Sequence, residues 1–452
     1  MTELDLHRIQ GFVTRGYRLP LARYIFLRID DPARAATWIS EITTDVLIAA
    51  PWSQKPDSGL NVAFSYAGLA ALALPDATLA SFPEEFREGM AARASALGDE
   101  GESSPANWEA PLGTQDVHVL LMISAAHQQA LSAHEQRTRD DIQRAGGLTV
   151  VHEDTGNALP GNREHFGYAD GFAQPEIEGA GLPSQPGDGA PLRGENWRPI
   201  RAGEFILGYP DEENVEPQAP TPGELATNGS FLVYRKLHQD VGAFRAQLAK
   251  AAQLYTRGEE HLAAKIVGRW RDGTPLDLSP DAPDPVIVAD DQRNNAFSYA
   301  TDGDGLRCPI GAHIRRVNPR DSLPFEGKLV NRHRIIRRGI PYGEPLPEGA
   351  GDDGEDRGVI FMCLQASIAR QFEFIQSQWL NRGNAFTLGE DQDVLVAPQD
   401  GPGPHKMTIH GKPPFFLGPL QRVVTVRGGE YFFVPGINGL EFLASAAASG
   451  AA

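Results

Sequence analysis

The densest run of side chains able to do chemistry lies between residues 313 and 338. His313 stands in CPIGAHIRR. Behind it come Arg315, Arg316, Arg320, Lys328, Arg332, Arg334, Arg337 and Arg338, against only Asp321 and Glu326 in the same run. The whole chain carries a formal charge of −18, so a local basic stripe asks for a reason. A solvated face paired with acids elsewhere is one reason. A nucleic-acid patch is disfavoured, because Phe325 is the only aromatic residue interleaved with the charges. The third reason is a small dianionic ligand gripped by forked guanidiniums. Gly311 and Ala312 beside His313 leave room for something flat and bulky. A haem meets both demands: its two propionates suit arginine and its iron suits one imidazole.

A second motif lies upstream, in HFGYADGFAQPEIEG. Gly167, Asp170 and Gly171 form GxxDG, flanked by Phe166, Tyr168 and Phe172. Two glycines around a carboxylate imply a tight loop whose backbone can press against a flat group, although an Asp-Gly pair is also an ordinary turn. Other chemistries are missing. There is no GxxxxGK[ST] and no GxSxG, and neither His134-Glu135 nor His152-Glu153 is followed by a second His at zinc-protease spacing. Cys308 and Cys363 form no CxxC pair and read as buried thiols of a reducing compartment.

These motifs need elements to hold them. The chain has 452 residues, 41% hydrophobic and 22% charged, with 48 Gly and 35 Pro. It is long enough for two domains and should carry long loops. Four times a β-rich run passes directly into a helical one: ARYIFLRI (22–29), DVHVLLMIS (116–124), GSFLVYRKL (229–237) and GVIFMCLQAS (358–367). Two such units fall in each half, which predicts a duplicated α+β chain, each half an antiparallel sheet backed by helices. The expected halves are residues 1–215, with GxxDG, and 225–452, with His313 and the arginines. The Gly/Pro/acid stretches 179–226, 272–306 and 343–357 read as loops. No signal segment and no stretch near the length of a membrane span is visible, so a cytoplasmic protein is expected. The acidic balance argues against nucleic-acid and membrane partners.

Taken together, GxxDG at 167–171, GAHIRRVNPR at 311–320 and HRIIRRGIPYG at 333–343 resemble the dye-decolorizing (DyP-type) haem peroxidases, in their larger C/D-type branch. AGEFILGYPDE (202–212), NGSFLVYRKLHQD (228–240) and FMCLQASIARQFEFIQSQW (361–379) add to the likeness. The resemblance implies a pair of ferredoxin-like halves, as in a dimeric α+β barrel, around haem b (iron protoporphyrin IX). It implies an enzyme that reduces hydrogen peroxide and oxidises dyes or phenolics through an oxoferryl porphyrin radical. Carried over residue by residue, His313 is the iron ligand and Asp170 the acid–base group on the opposite face. Arg334 is its arginine partner, with Arg337 and Arg338 in the same motif. Arg315 or Arg316 holds a propionate, and Gly171, Val359 and Phe361 line the haem. A carboxylate behind His313 is expected among Asp304, Glu326 and Glu373. Trp379, Tyr168, Tyr299 and Tyr342 are candidates for carrying electrons to bulky donors, and association into oligomers is possible. A haem-handling protein without peroxidase turnover would keep His313 and the arginines but would not need Asp170. A cofactor-free interaction protein would show no haem absorption.

Overall fold

The computed structural model describes residues 3–192, 196–399 and 405–449. Nine strands form one antiparallel sheet: β1 Leu21–Ile29, β2 Ser58–Phe64, β3 Val119–Ala125, β4 Leu148–Asn157, β5 Ser230–Gln239, β6 Ile336–Arg337, β7 Ile340–Tyr342, β8 Gly358–Gln365 and β9 Val424–Val434. The order is β4-β1-β3-β2-β9-β5-β8-β6, with β7 also paired to β8. With β6 and β7 counted as one strand interrupted at Arg338 and Gly339, the strands of each half run fourth, first, third, second, which is the ferredoxin-like arrangement written twice. The expected fold class is therefore present. The two halves join where Phe433 of β9 pairs with Phe64 of β2.

The four strand-to-helix units fall where the sequence places them. Helix α1 (Pro32–Ile42) follows β1, with Asp31 accepting from the Ala33 and Arg34 amides at 3.0 and 3.1 Å and Pro32 opening the first turn. These are the two signals that start a helix. Helix α2 (Gln128–Ala145) follows β3, and α3 (Val241–Ala252) follows β5 behind the cap Asp240. After β8 the chain winds through Ala369–Leu380 in turns wider than an α-helix. Two further helices matter below: α4 (Glu259–Val267) and α5 (His313–Val317).

Side chains alternate across the sheet with period two. One set, including Tyr24, Phe26, Leu120, Leu232, Tyr234, Ile360, Met362 and Phe432, fills the space enclosed by the curled sheet. The curl brings β4 to β7: a Cβ added at Gly156 would lie 2.2 Å from Ile340, so only glycine fits there. The other set faces outward toward the helices. In the N-terminal half it is packed solid, with Ile25, Leu27, Val62 and Leu121 against Trp38, Ile39, Leu131 and Ile142. In the C-terminal half it opens onto a cavity.

Candidate active site

The cavity measures about 340 Å³ and is bounded by the outward face of β5 and β8 and by the segments around residues 164–173, 297–320 and 372–396. That is the size range of a pocket for a sizeable ligand. Asp170, His313, Arg337, Val359 and Phe361 all line it. Val359 and Phe361 do so because they share one face of β8, while Ile360 and Met362 point into the barrel core.

His313 opens α5. Its Nδ1 donates to Asp393 Oδ2 at 2.9 Å. Asp393 is 1% exposed, and its other oxygen accepts from the Leu395 and Val396 amides at 3.0 Å each. This carboxylate fixes the tautomer: Nδ1 carries the proton and Nε2 keeps a lone pair on a ring that lines the cavity. Burial works against a charge on His313, but the Asp393 charge and hydrogen bond outweigh it and hold the ring above its usual pKa. Asp393 itself is pushed up by burial and more strongly down by His313 and Arg316, so it stays ionised. Sequence reading missed it. Of the three acids expected here, Asp304 is exposed. Glu373 is spent on Arg93, at 2.9 and 2.7 Å, and on the Tyr431 hydroxyl. The Glu326 side chain lies outside the described residues.

Across the cavity, Arg337 Nη1 meets both oxygens of Asp170 at 2.9 and 3.0 Å, and Arg337 Nη2 donates to the Phe172 carbonyl at 3.0 Å. Burial raises the Asp170 carboxyl, but the Arg337 charge, the Gly171 amide and the Arg337 hydrogen bonds carry it below the ordinary value. The side chain is 55% exposed, so its remaining lone pairs are open to a ligand. The partner of Asp170 is thus Arg337 and not Arg334. The reason is register. Arg337 sits opposite Cys363 in the β6–β8 ladder, on the same sheet face as Phe361, whereas Arg334 precedes the strand and donates from Nη2 to the Asp188 carbonyl at 3.1 Å.

Arg334 still lines the cavity, with Arg320 and Arg269, at an end where cations crowd. Burial, with Arg320 adding repulsion, pushes Arg334 and Arg269 down to about 10. Arg320 is lowered by burial too. The nearby carboxyl, Asp188, is pushed up to about 6 by burial. Such a cluster favours an anion. Other stretches of the wall are apolar, with Ile314, Val317, Ile375, Leu380, Leu395 and Val396.

Two further expectations are corrected. Arg315 and Arg316 do not reach the cavity. His313, Ile314 and Val317 share the exposed face of α5, and the two arginines turn into the protein. Arg315 binds Asp302 Oδ2 at 3.2 Å and the Cys308 carbonyl at 2.7 Å. Arg316 binds the Trp379 and Asp391 carbonyls at 2.7 and 3.0 Å. Both are structural clamps. Gly171 does not line the cavity either. It is glycine because φ is +95° and a Cβ would lie 2.6 Å from the Asn162 amide nitrogen. Trp379, Tyr168, Tyr299 and Tyr342 are 2%, 5%, 1% and 7% exposed, so none is itself a surface contact for a bulky donor.

Known proteins resemble the chain over nearly its whole length. Residues 8–160 match the family model described as DyP dimeric alpha+beta barrel domain, and residues 210–388 match that of the Dyp-type peroxidase C-terminal domain. A dye-decolorizing peroxidase of Mycena epipterygia is 31% identical over 98% of this chain and 88% of its own. The crystal structure of a fungal DyP-type peroxidase from Auricularia auricula-judae superimposes with a TM-score of 0.84 at 28% identity, over 98% of this chain and 100% of that one. A dye-decolorizing peroxidase in complex with 2,6-dimethoxyphenol gives a TM-score of 0.82 at 29% identity, again over 98% and 100%.

Proposed function

The chain belongs to the dye-decolorizing peroxidases and is an oxidoreductase that uses peroxide as acceptor, and on that premise we propose that haem b occupies the cavity between His313 and the Asp170–Arg337 pair. His313 Nε2 would ligate the iron, with Asp393 making the imidazole a stronger donor. Arg320 and Arg334 would hold the propionates, and the apolar wall would take the rest of the macrocycle. When bound, the haem supplies the two-electron reduction of hydrogen peroxide and the one-electron oxidation of phenolic or dye donors.

The protein's own part is proton movement and charge. Asp170 takes the proton from one peroxide oxygen onto a carboxylate oxygen and returns it to the other. Arg337 keeps Asp170 ionised while it waits and stabilises negative charge developing on the departing oxygen. Arg337 also ties the Phe172 carbonyl, so base and cation are fixed relative to each other without reorganisation. Val359 and Phe361 keep this face apolar and limit the water that competes for the proton. In this reading the catalytic pair is Asp170 and Arg337, and Arg334 serves binding.

One observation carries the proposal: a carboxylate-oriented imidazole and an ion pair in which Arg337 Nη1 meets both oxygens of Asp170 line the same cavity. A haem carrier has no use for the pair. The test is turnover of an anthraquinone dye with peroxide, together with the Soret spectrum. Asp170→Ala and Arg337→Leu should keep the Soret band and lose turnover. Arg334→Leu should keep turnover per bound haem and bind haem less tightly. If Arg334→Leu abolished turnover at full haem content while Arg337→Leu did not, the assignment would be reversed.

A further inference from the structure

The cavity wall holds another carboxylate that the proton transfer above leaves unused. Glu164 lines the cavity six residues ahead of Asp170. Its Oε1 accepts from the Tyr168 amide at 2.9 Å. Its Oε2 accepts from the Phe166 amide at 2.8 Å and from Gln239 Nε2 at 2.6 Å. All three donors are neutral. The Glu164 backbone closes the same loop, donating to the Tyr168 carbonyl at 3.0 Å and accepting from the Gly167 amide at 2.9 Å.

A buried carboxylate costs stability unless it is satisfied. Here two of the three donors come from the loop that delivers Asp170. Arg271 and Arg163 hold that loop from outside, by the Phe166 and Gly167 carbonyls. Glu164 holds it from within, by the amides of alternate residues, and Gln239 anchors the grip to β5. We propose that Glu164 is the positioning residue of the distal pair: it sets the loop under Asp170 and fastens it to the sheet through Gln239. The proposal rests on Asp170 being the operative base.

The charges around Asp170 come from several elements. Arg337 on β6, Arg269 after α4 and His313 on α5 favour its ionised form, and Glu164 opposes it. Burial lifts the Glu164 carboxyl, and the Asp170 charge lifts it further. Glu164 therefore takes its proton at a higher pH than Asp170 does, and once protonated it accepts less well from its three donors. A merely structural residue would leave no such step in a pH profile.

Cyanide binding to the haem-loaded protein, followed in the Soret region against pH, reads the base without turnover, because hydrogen cyanide must give up its proton to bind as the anion. Wild type should show two steps on the acid side, a shallow one as Glu164 takes its proton and the main limb set by Asp170, and Asp170→Ala should remove the main limb. Glu164→Gln should remove the shallow step and slow binding several-fold above it, with the midpoint of the main limb unmoved because Glu164 is already neutral there. Glu164→Asp keeps a titrating carboxyl but is too short to reach both amides. It should slow binding several-fold and keep a shallow step. If Glu164→Gln takes up no haem, Gln239→Leu serves instead: with a donor gone, Glu164 takes its proton more readily, and the shallow step should move to higher pH. A shallow step unchanged in place and height in the variant that binds haem, with the main limb absent in Asp170→Ala, overturns the role of Glu164. A main limb that persists in Asp170→Ala overturns instead the reading of Asp170 as base.

Discussion

The two halves of this molecule share a strand order and differ in what covers the outer face of the sheet. In the N-terminal half, Trp38, Ile39 and Ile42 of α1 and Leu131 and Ile142 of α2 close directly over Ile25, Leu27, Val62 and Leu121. In the C-terminal half, α3 and α4 instead form a separate apolar cluster with Phe166, Tyr168, Tyr299 and Ala312. The loop carrying Asp170 and the short helix α5 carrying His313 stand between those helices and the sheet. Arg235, Leu237, Val359 and Phe361, on the matching strand face, therefore line a cavity. A duplicated fold can give one copy to stability and the other to a ligand, and the difference is how far the helices stand off. The cost of the open copy shows in its polar groups: Arg269, Arg320 and Arg334 are buried together, each held by backbone carbonyls, and an anion among them would offset their mutual repulsion.

The comparison can be broken at several points. The largest effect belongs to His313→Ala, which should leave a folded but colourless protein, checked by far-ultraviolet circular dichroism and the Soret band. A full Soret band in that variant would place the iron ligand elsewhere. Next come Asp170→Asn and Arg337→Leu, each expected to lower kcat/KM for peroxide by about 10²–10⁴-fold, the usual worth of a positioned acid–base group. Asp393→Asn should cost about 10–100-fold in haem affinity or turnover. Trp38→Ala probes the packed half. It should cost about 3–5 kcal/mol of stability in a denaturant titration while leaving turnover per haem unchanged. Coupled loss of turnover would show that the halves are not separable in this way.

The smallest effect is on pH dependence. The Asp170 carboxyl is depressed in the folded protein, chiefly because the Arg337 charge overcomes burial. Its pairing therefore stabilises the fold at pH values above the unfolded carboxylate pKa of about 4. That contribution is lost as the pH falls through the depressed value. Peroxide reactivity should accordingly persist into acid and drop only below the ordinary carboxylate range. Arg337→Leu should move that acid limb upward, as a pH–rate profile would show.

Much of this was legible from residue types alone. The β-rich runs ahead of helical runs located β1, β3, β5 and β8, because a change of hydrophobic period is a local property. The runs that became β2, β4 and β9 went unread, although helices follow β2 at Tyr66–Ala71 and β9 at Ile437–Ser449. GxxDG, His313 and the cluster of guanidiniums announced a haem-sized dianion and its ligand, because a donor set names its chemistry wherever it folds.

What the sequence could not settle were the pairings. Asp393 lies 80 residues beyond His313, in a loop with no motif, and reaches it only because the Leu395 and Val396 amides anchor one oxygen and aim the other. Arg334, Arg337 and Arg338 are chemically alike and adjacent in one motif. The ladder between β6 and β8 points Arg337 to Asp170, leaves Arg334 beside Asp188, and sends Arg338 to the Phe12 carbonyl at 2.6 Å. Side-chain chemistry is written residue by residue. Which of three equal cations meets the carboxylate depends on strand register and on the direction each Cβ takes, and those exist only once distant segments have packed.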